Sequence, residues 1–267
     1  MGKILKNNER DYYKKNGFFF PLRVMSKKKA KYYREKLEEY EKNLGKPISG
    51  NERHKAHLLF TWIDALVRNP LILDAVEDII GPNILCWSSN FFIKEANDKT
   101  FVSWHQDFTY WGLHPENVIT AWIALSDASS NTGPMQVVPG SQEWDNESNV
   151  QTHDKLNLLS RGQKLNKNMS KEKIVSMPLN AGEISLHHIK LAHSSKHNNT
   201  NDRRIGLAIR YIKPDVNNIN TNDSALLVRG SDRFKHYELE PSPTEDLNEQ
   251  AILNHKKYSE IHVKNLM

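Results

Sequence analysis

Residues 101–112 read Phe-Val-Ser-Trp-His-Gln-Asp-Phe-Thr-Tyr-Trp-Gly. The first seven, FVSWHQD, mix β-branched and aromatic residues without helical spacing, which is how a strand reads. In a strand, residues i and i+2 share a face, so His105 and Asp107 are expected to project an imidazole and a carboxylate into one cavity. Roughly ninety residues later a second strand-like run, GEISLHHIKLAHSS (182–195), carries His187, His188 and His193. Two neutral imidazoles and one carboxylate cover one face of an octahedral Fe(II) and leave the other face open for a co-substrate and O2. An H-x-D by itself is a weak signal. A distal histidine, with an arginine eleven residues beyond it at Arg204, makes it strong.

Working outward, the chain from residue 84 onward is a series of short runs rich in Ile, Val, Phe, Trp and Tyr. They are ILCWSSNFFIKE (84–95), FVSWHQD, VITAWIALSD (118–127), MQVVPGS (135–141), KIVSMPL (173–179), GEISLHHI (182–189) and RRIGLAIRYI (203–212). Gly, Pro, Asn or Asp bounds each one. The first eighty or so residues read as helical instead. Ser26 caps a helix from Lys27 to about Asn43, broken by Gly45-Lys46-Pro47. A second helix is expected over His54–Val67, with Leu58, Leu59, Trp62, Ile63 and Leu66 at helical spacing. A third starts at Asn69-Pro70 and stops at Gly81-Pro82. The expectation is a single domain, mainly β with α. A helical part (about 1–82) would brace a jelly-roll barrel (about 83–230), followed by a C-terminal extension (231–267). Asp145–Lys173 is long and polar, as active-site lids are.

Composition bounds the function. With 267 residues and 38% hydrophobic content, one large domain can bury a sizeable core. The single cysteine, Cys86, excludes an internal disulfide and fits a reducing cytoplasm. The apolar patch Gly17–Leu22 is too short to span a membrane, the N-terminus has no signal-peptide pattern, and Lys6 breaks the myristoylation motif. A net charge of +5 invites a nucleic-acid reading. The lysines, however, are dispersed and interleaved with acids, as in REKLEEYEK (34–42), which marks a solvated helix face. A cytoplasmic protein is expected, monomeric or homodimeric, with a small-molecule substrate and neither nucleic acid nor membrane as partner.

Three stretches resemble the phytanoyl-CoA dioxygenase family: WHQDFTYWG, VITAWIALSDASSNTGPMQVVPGSQ (118–142), and GEISLHHIKLAHSS followed by DRRIGLAIRYI. The resemblance spans about residues 15–240. It implies a double-stranded β-helix that uses Fe(II), 2-oxoglutarate and O2. Carried over, the iron ligands are His105, Asp107 and His193, because the family's distal ligand precedes a small pair such as the Ser-Ser of LAHSS. His187 and His188 would point to opposite faces, leaving open which of them meets the site. Arg204 is the residue expected to hold the far carboxylate of 2-oxoglutarate, since its planar fork binds a carboxylate bidentately. Trp122, Ser195, Asn90 and Lys55 are further co-substrate candidates. Trp122 reads equally as a core tryptophan.

In halogenating relatives a small residue replaces the carboxylate, so the intact Asp107 favours hydroxylation. The distal Gly-Ser-x-Pro-Asn of the family reads Ser194-Ser195-Lys196-His197-Asn198 here. Substrate candidates are Gln106 and Tyr110 beside the H-x-D, Arg161 in the lid segment, His187, Arg229 near Ser224, and Arg210. Arg210 shares the face of Arg204 and either meets an anionic substrate or pairs with an acid at the rim. This Arg-rich set suggests a small polar or anionic substrate, amino-acid-like or 2-aminoethylphosphonate-like. The alternatives are an acyl-CoA or natural-product hydroxylase, a Zn(II) hydrolase on the same ligands, and a non-catalytic binding barrel.

Overall fold

The structure is a computed structural model that describes residues 2–145, 149–152, 154–159, 162–220 and 222–266. Among these, six α-helices accompany two principal sheets. The helices are α1 (Asn7–Asn16), α2 (Lys27–Leu44), α3 (Thr61–Val67), α4 (Pro70–Ile80), α5 (Phe108–Trp111) and α6 (Glu249–Leu266). The sheet strands are β1 (Phe18–Arg23), β2 (Ile84–Lys94), β3 (Val102–His105), β4 (Val118–Ala124), β5 (Met135–Val137) and β6 (Val175–Met177). They continue with β7 (Glu183–His188), β8 (His193–Ser195), β9 (Arg204–Ile212), β10 (Asp223–Arg229) and β11 (Tyr237–Leu239). The larger sheet has the order β1-β7-β4-β9-β2-β10-β11 and the smaller β3-β8-β5-β6. All neighbours are antiparallel except β10 and β11. This is a jelly-roll braced by helices.

The central strand β9 shows how the sequence builds the two layers. Its residues alternate in direction. Ile205, Leu207, Ile209 and Tyr211 join the core against α2, α3 and α4, packing with Leu37, Trp62, Leu66 and Ile72. Arg204, Ala208 and Arg210 face the other way, into a cavity between the sheets. Both faces of β9 are therefore covered, and every residue of it is buried.

The helices α2 and α4 form as the sequence predicts. Ser26 Oγ accepts from Lys29 N at 3.1 Å, Gly45 closes α2 at φ 72°, and Asn69 caps α4. The continuous helix expected over His54–Val67 does not form. Short 3-10 turns span Gly50–Arg53 and Ala56–Leu58, and only Thr61–Val67 is α-helical. Lys55 interrupts it, with φ 47° in the left-handed region and its ammonium drawn inward to Glu240. Nor are the first eighty residues all helical: Phe18–Arg23 is a sheet-edge strand, paired through Phe18↔His187 and Arg23↔Glu183. The long polar segment after Asp145 contains a two-stranded ribbon, Asn149–Gln151 with Gln163–Leu165. No helix among the described residues is long and apolar enough to cross a membrane.

Candidate metal and co-substrate site

His105 ends β3, His193 begins β8, and the two are directly paired across the ladder. Their rings lie 4.1 Å apart between centroids. Asp107 arrives differently from the expected strand alternation. The strand stops at His105, and Asp107 has helical φ/ψ (−62°, −37°) at the start of α5. Gln106 fixes this turn, its Nε2 donating to Lys190 O at 2.6 Å and to Ser141 O at 3.3 Å. One ligand atom from each of His105, Asp107 and His193 lies within 4.8 Å of the others.

The backbone sets the tautomer of both imidazoles. Nδ1 of His105 meets Ser103 O and Nδ1 of His193 meets Leu191 O, each at 2.9 Å. A carbonyl only accepts, so each Nδ1 carries the proton and each Nε2 keeps a lone pair. His105 Nε2 faces Asp107 Oδ1 at 3.3 Å, which in the neutral ring is acceptor against acceptor and calls for a cation between them. Burial holds His193 down at about 4. Burial would raise the Asp107 carboxyl, but His105 and His193 outweigh it and keep it well below the usual carboxylate range. The two imidazoles and the carboxylate are thus placed to take a divalent cation together, and they suit Fe(II).

The triad opens into a cavity of about 180 Å³. At one end stands Arg204, buried, donating from Nη1 to Gly133 O at 2.9 Å, with its Nε unpartnered. Its guanidinium lies 5.2 Å from the centroid of the Trp122 ring. Burial lowers it to about 10, so it stays charged at neutral pH. Gly206 makes room for the indole: a Cβ there would sit 1.9 Å from Trp122 Cζ2. Ser195 completes this end, and behind it Lys94 donates to Ser195 Oγ at 2.8 Å and to Lys196 O. Lys94 pairs with Arg204 across the β2–β9 ladder. Burial and then Arg204 lower its amine to about 6. A buried, charged Arg204 without an ion-pair partner among the described residues, with a hydroxyl beside it, fits the far carboxylate of a dicarboxylate such as 2-oxoglutarate.

Arg203 points the other way, onto Glu41 at 2.7 Å and Glu95 at 2.8 Å, so of the two adjacent arginines Arg204 is inward. His187 likewise faces the cavity, whereas His188 does not line it. Asn90 and Trp122 line it as well, as does Arg210, six residues from Arg204 on the same face and about 20 Å along the strand.

Other candidates are placed elsewhere. Lys55 is fully buried away from the cavity, donating to Glu240 at 2.5 Å, Trp87 O at 2.8 Å and Ser224 O at 2.9 Å. Arg229 is held by Asp74 and Glu77, each at 2.7 Å, and Gln106 turns to the backbone. Arg161 and the Tyr110 side chain lie outside the described residues. Sequence reasoning missed Lys94, although it continues the inward row Asn90–Phe92–Lys94 of β2 and period-2 alternation could have found it. It also missed Arg53 and His54, which line the cavity from an irregular segment with no periodic signal.

The family model for phytanoyl-CoA dioxygenase matches residues 13–206. The chain belongs to this family. A probable alpha-ketoglutarate-dependent hypophosphite dioxygenase of Stutzerimonas stutzeri is 30% identical over 166 residues, 60% of this chain and 56% of that protein. An L-proline trans-4-hydroxylase of Streptomyces griseoviridis is 31% identical over 81 residues, 29% of this chain and 30% of that one. The chain thus spans about half the length of the first relative and about a third of the second. Among solved structures, the apo form of the non-heme monooxygenase ThoJ superposes with a TM-score of 0.86 at 30% identity, covering 96% of each chain.

Proposed function

We propose that this protein is an Fe(II)- and 2-oxoglutarate-dependent dioxygenase that hydroxylates an unactivated C–H bond of a small polar or anionic metabolite, releasing succinate and CO2. One observation carries the reading: a buried His105–Asp107–His193 triad, its ligand atoms within 4.8 Å of one another, shares one cavity with Arg204, which has no ion-pair partner among the described residues. The three side chains hold the iron. Arg204 grips the far carboxylate of 2-oxoglutarate, and the Ser195 hydroxyl, held from behind by Lys94, donates to the same group. Trp122 and Asn90 wall the co-substrate's path. The bound iron and co-substrate supply the oxidising chemistry; the protein orients the substrate and keeps water out.

The small cavity and the small polar molecules named for two relatives support a small substrate. His187 and Arg210 face the cavity and form its substrate side. The test is succinate formation by Fe(II)-loaded protein across aminophosphonates, amino acids, betaines and acyl-CoA thioesters. Turnover stimulated by a small anionic compound, and lost in His193→Ala and Arg204→Ala, is expected. Stimulation by acyl-CoA thioesters alone would overturn the substrate class.

A further inference from the structure

Two cations in the cavity are left over once the co-substrate is placed. Arg210 is buried on β9, its guanidinium 4.7 Å from the Trp111 ring centroid and 5.8 Å from that of Phe92. Its Nε is unpartnered, and its one hydrogen bond among the described residues is a long 3.4 Å contact from Nη1 to Ser88 Oγ. Arg53 lines the same cavity from the 3-10 turn before Lys55, makes no hydrogen bond or ion pair among the described residues, and buries an unpartnered Nε. Both charges bear on the ring of His54: after burial, Arg53 and then Arg210 hold it at about 4, and it is neutral at physiological pH.

Neither arginine makes an ion pair among the described residues. The carboxylate beside Arg53 in the chain, Glu52, faces Tyr40. The acid nearest Arg210 in charge is Asp107, whose negative charge a bound dication would consume. Arg210 is buried and Arg53 half-buried with its Nε covered, and taking such charge from water without a counter-charge is unfavourable, so two guanidinium groups on one cavity imply a ligand. The backbone next to Arg53 is held in place. His54 bridges to Asn90 on β2, its ring Nδ1 meets Asn90 Nδ2 at 2.5 Å, and His255 of α6 bonds the His54 carbonyl at 2.9 Å. Further unpartnered polar atoms converge here: Asn90 Oδ1, Thr120 Oγ1 and His187 Nδ1.

We infer that the substrate is anchored by a doubly charged oxyanion of the phosphonate or phosphate type, gripped between Arg53 and Arg210. A monoanion would leave one guanidinium uncompensated, and a tetrahedral dianion offers three oxygens to two forks. That this anchored molecule is the one oxidised rests on the function proposed above; the anion site itself does not.

The experiment is calorimetric titration of the anaerobic Fe(II)- and 2-oxoglutarate-loaded protein with methylphosphonate and methanesulfonate. These are near-isosteres that differ by one charge when the phosphonate is fully ionised. Methylphosphonate is expected to bind at least about tenfold more tightly. Arg53→Leu and Arg210→Leu should each abolish the difference while 2-oxoglutarate affinity holds, which also shows that the variants fold. Arg53→Lys, keeping charge without the fork, should retain part of it. Equal affinity for the two probes, no binding of either, or wild-type discrimination in both leucine variants overturns the inference. If 2-oxoglutarate itself fails to bind, the proposed function fails instead. The two probes on the metal-loaded protein alone then still decide the anion site, because Arg204 is unchanged in every variant.

Discussion

Gly206 is the position where the smallest substitution should do the most damage. It sits between Arg204 and Ala208 on β9, opposite Phe92, and the indole of Trp122 lies directly over it. A methyl group in Gly206→Ala would meet Cζ2 at 1.9 Å, Cε2 at 2.3 Å and Cη2 at 2.6 Å, against the 3.4 Å of ordinary contact. The ring must therefore retreat by about 1.5 Å, against buried neighbours or into the cavity that it lines. Overpacking of this kind costs about 1–3 kcal/mol, which in a chain of this size lowers Tm by roughly 4–8 °C for the middle of that range. The retreating ring also carries the face against which the Arg204 guanidinium rests. A displacement of about 1 Å at a binding group can cost about a hundredfold, so KM for 2-oxoglutarate should rise between about ten- and a hundredfold. Thermal unfolding and succinate kinetics read the two effects separately. Trp122→Leu in the Gly206→Ala background should recover stability but not co-substrate affinity, since the clash goes and the ring stays absent. Unchanged Tm and unchanged KM in Gly206→Ala would refute the packing argument.

Lys55→Met should lower stability by about 3–5 kcal/mol in urea unfolding, because it strips a fully buried ion pair of its cation and leaves Glu240 with His57 and Ser224; a loss below about 1 kcal/mol would show the pair to be dispensable. Arg229→Ala should leave turnover untouched and cost at most about 1 kcal/mol, since its partners Asp74 and Glu77 are partly solvated; a rise in substrate KM would return Arg229 to the site. The Lys94 amine, lowered to about 6 by burial and by Arg204, is neutral at physiological pH before the co-substrate arrives. An incoming carboxylate favours its charged form, so binding takes up a proton, and 2-oxoglutarate affinity should weaken as pH rises above about 6. Lys94→Met should flatten that dependence in a binding titration, and an equally steep profile in the variant would assign the proton elsewhere.

The strands were the most legible part of the chain. Each of the seven runs read as strand-like contains one, because alternation on β9 separates Ile205, Leu207 and Ile209 from Arg204, Ala208 and Arg210 without ambiguity. The same period-2 logic misjudged Asp107, which reaches the cavity through a turn. That turn depends on Gln106 finding carbonyls at Lys190 and Ser141, a contact between residues far apart in sequence. The helix expected over His54–Val67 failed for a similar reason. Its apolar spacing is genuine, but the buried partner of Lys55 lies 185 residues away at Glu240 and pulls the backbone left-handed. The last helix, α6, escaped notice because its inward face mixes His255, Ser259 and His262 with Ala251 and Tyr258 rather than forming an apolar stripe. Arg53 and His54 were invisible for the same reason as the broken helix: tertiary contacts, not local pattern, aim them.

The most direct test of the account is anaerobic binding to the purified protein, before any substrate is known. Fe(II) is titrated first and 2-oxoglutarate second, following the visible charge-transfer absorption of the chelated pair. One iron per chain is expected, lost in Asp107→Ala and His193→Ala. A 2-oxoglutarate-dependent band should persist in Arg203→Ala and be lost in Arg204→Ala at co-substrate concentrations that saturate the wild type. Iron binding unaffected by either ligand substitution, or a band indifferent to Arg204, would contradict the proposed function.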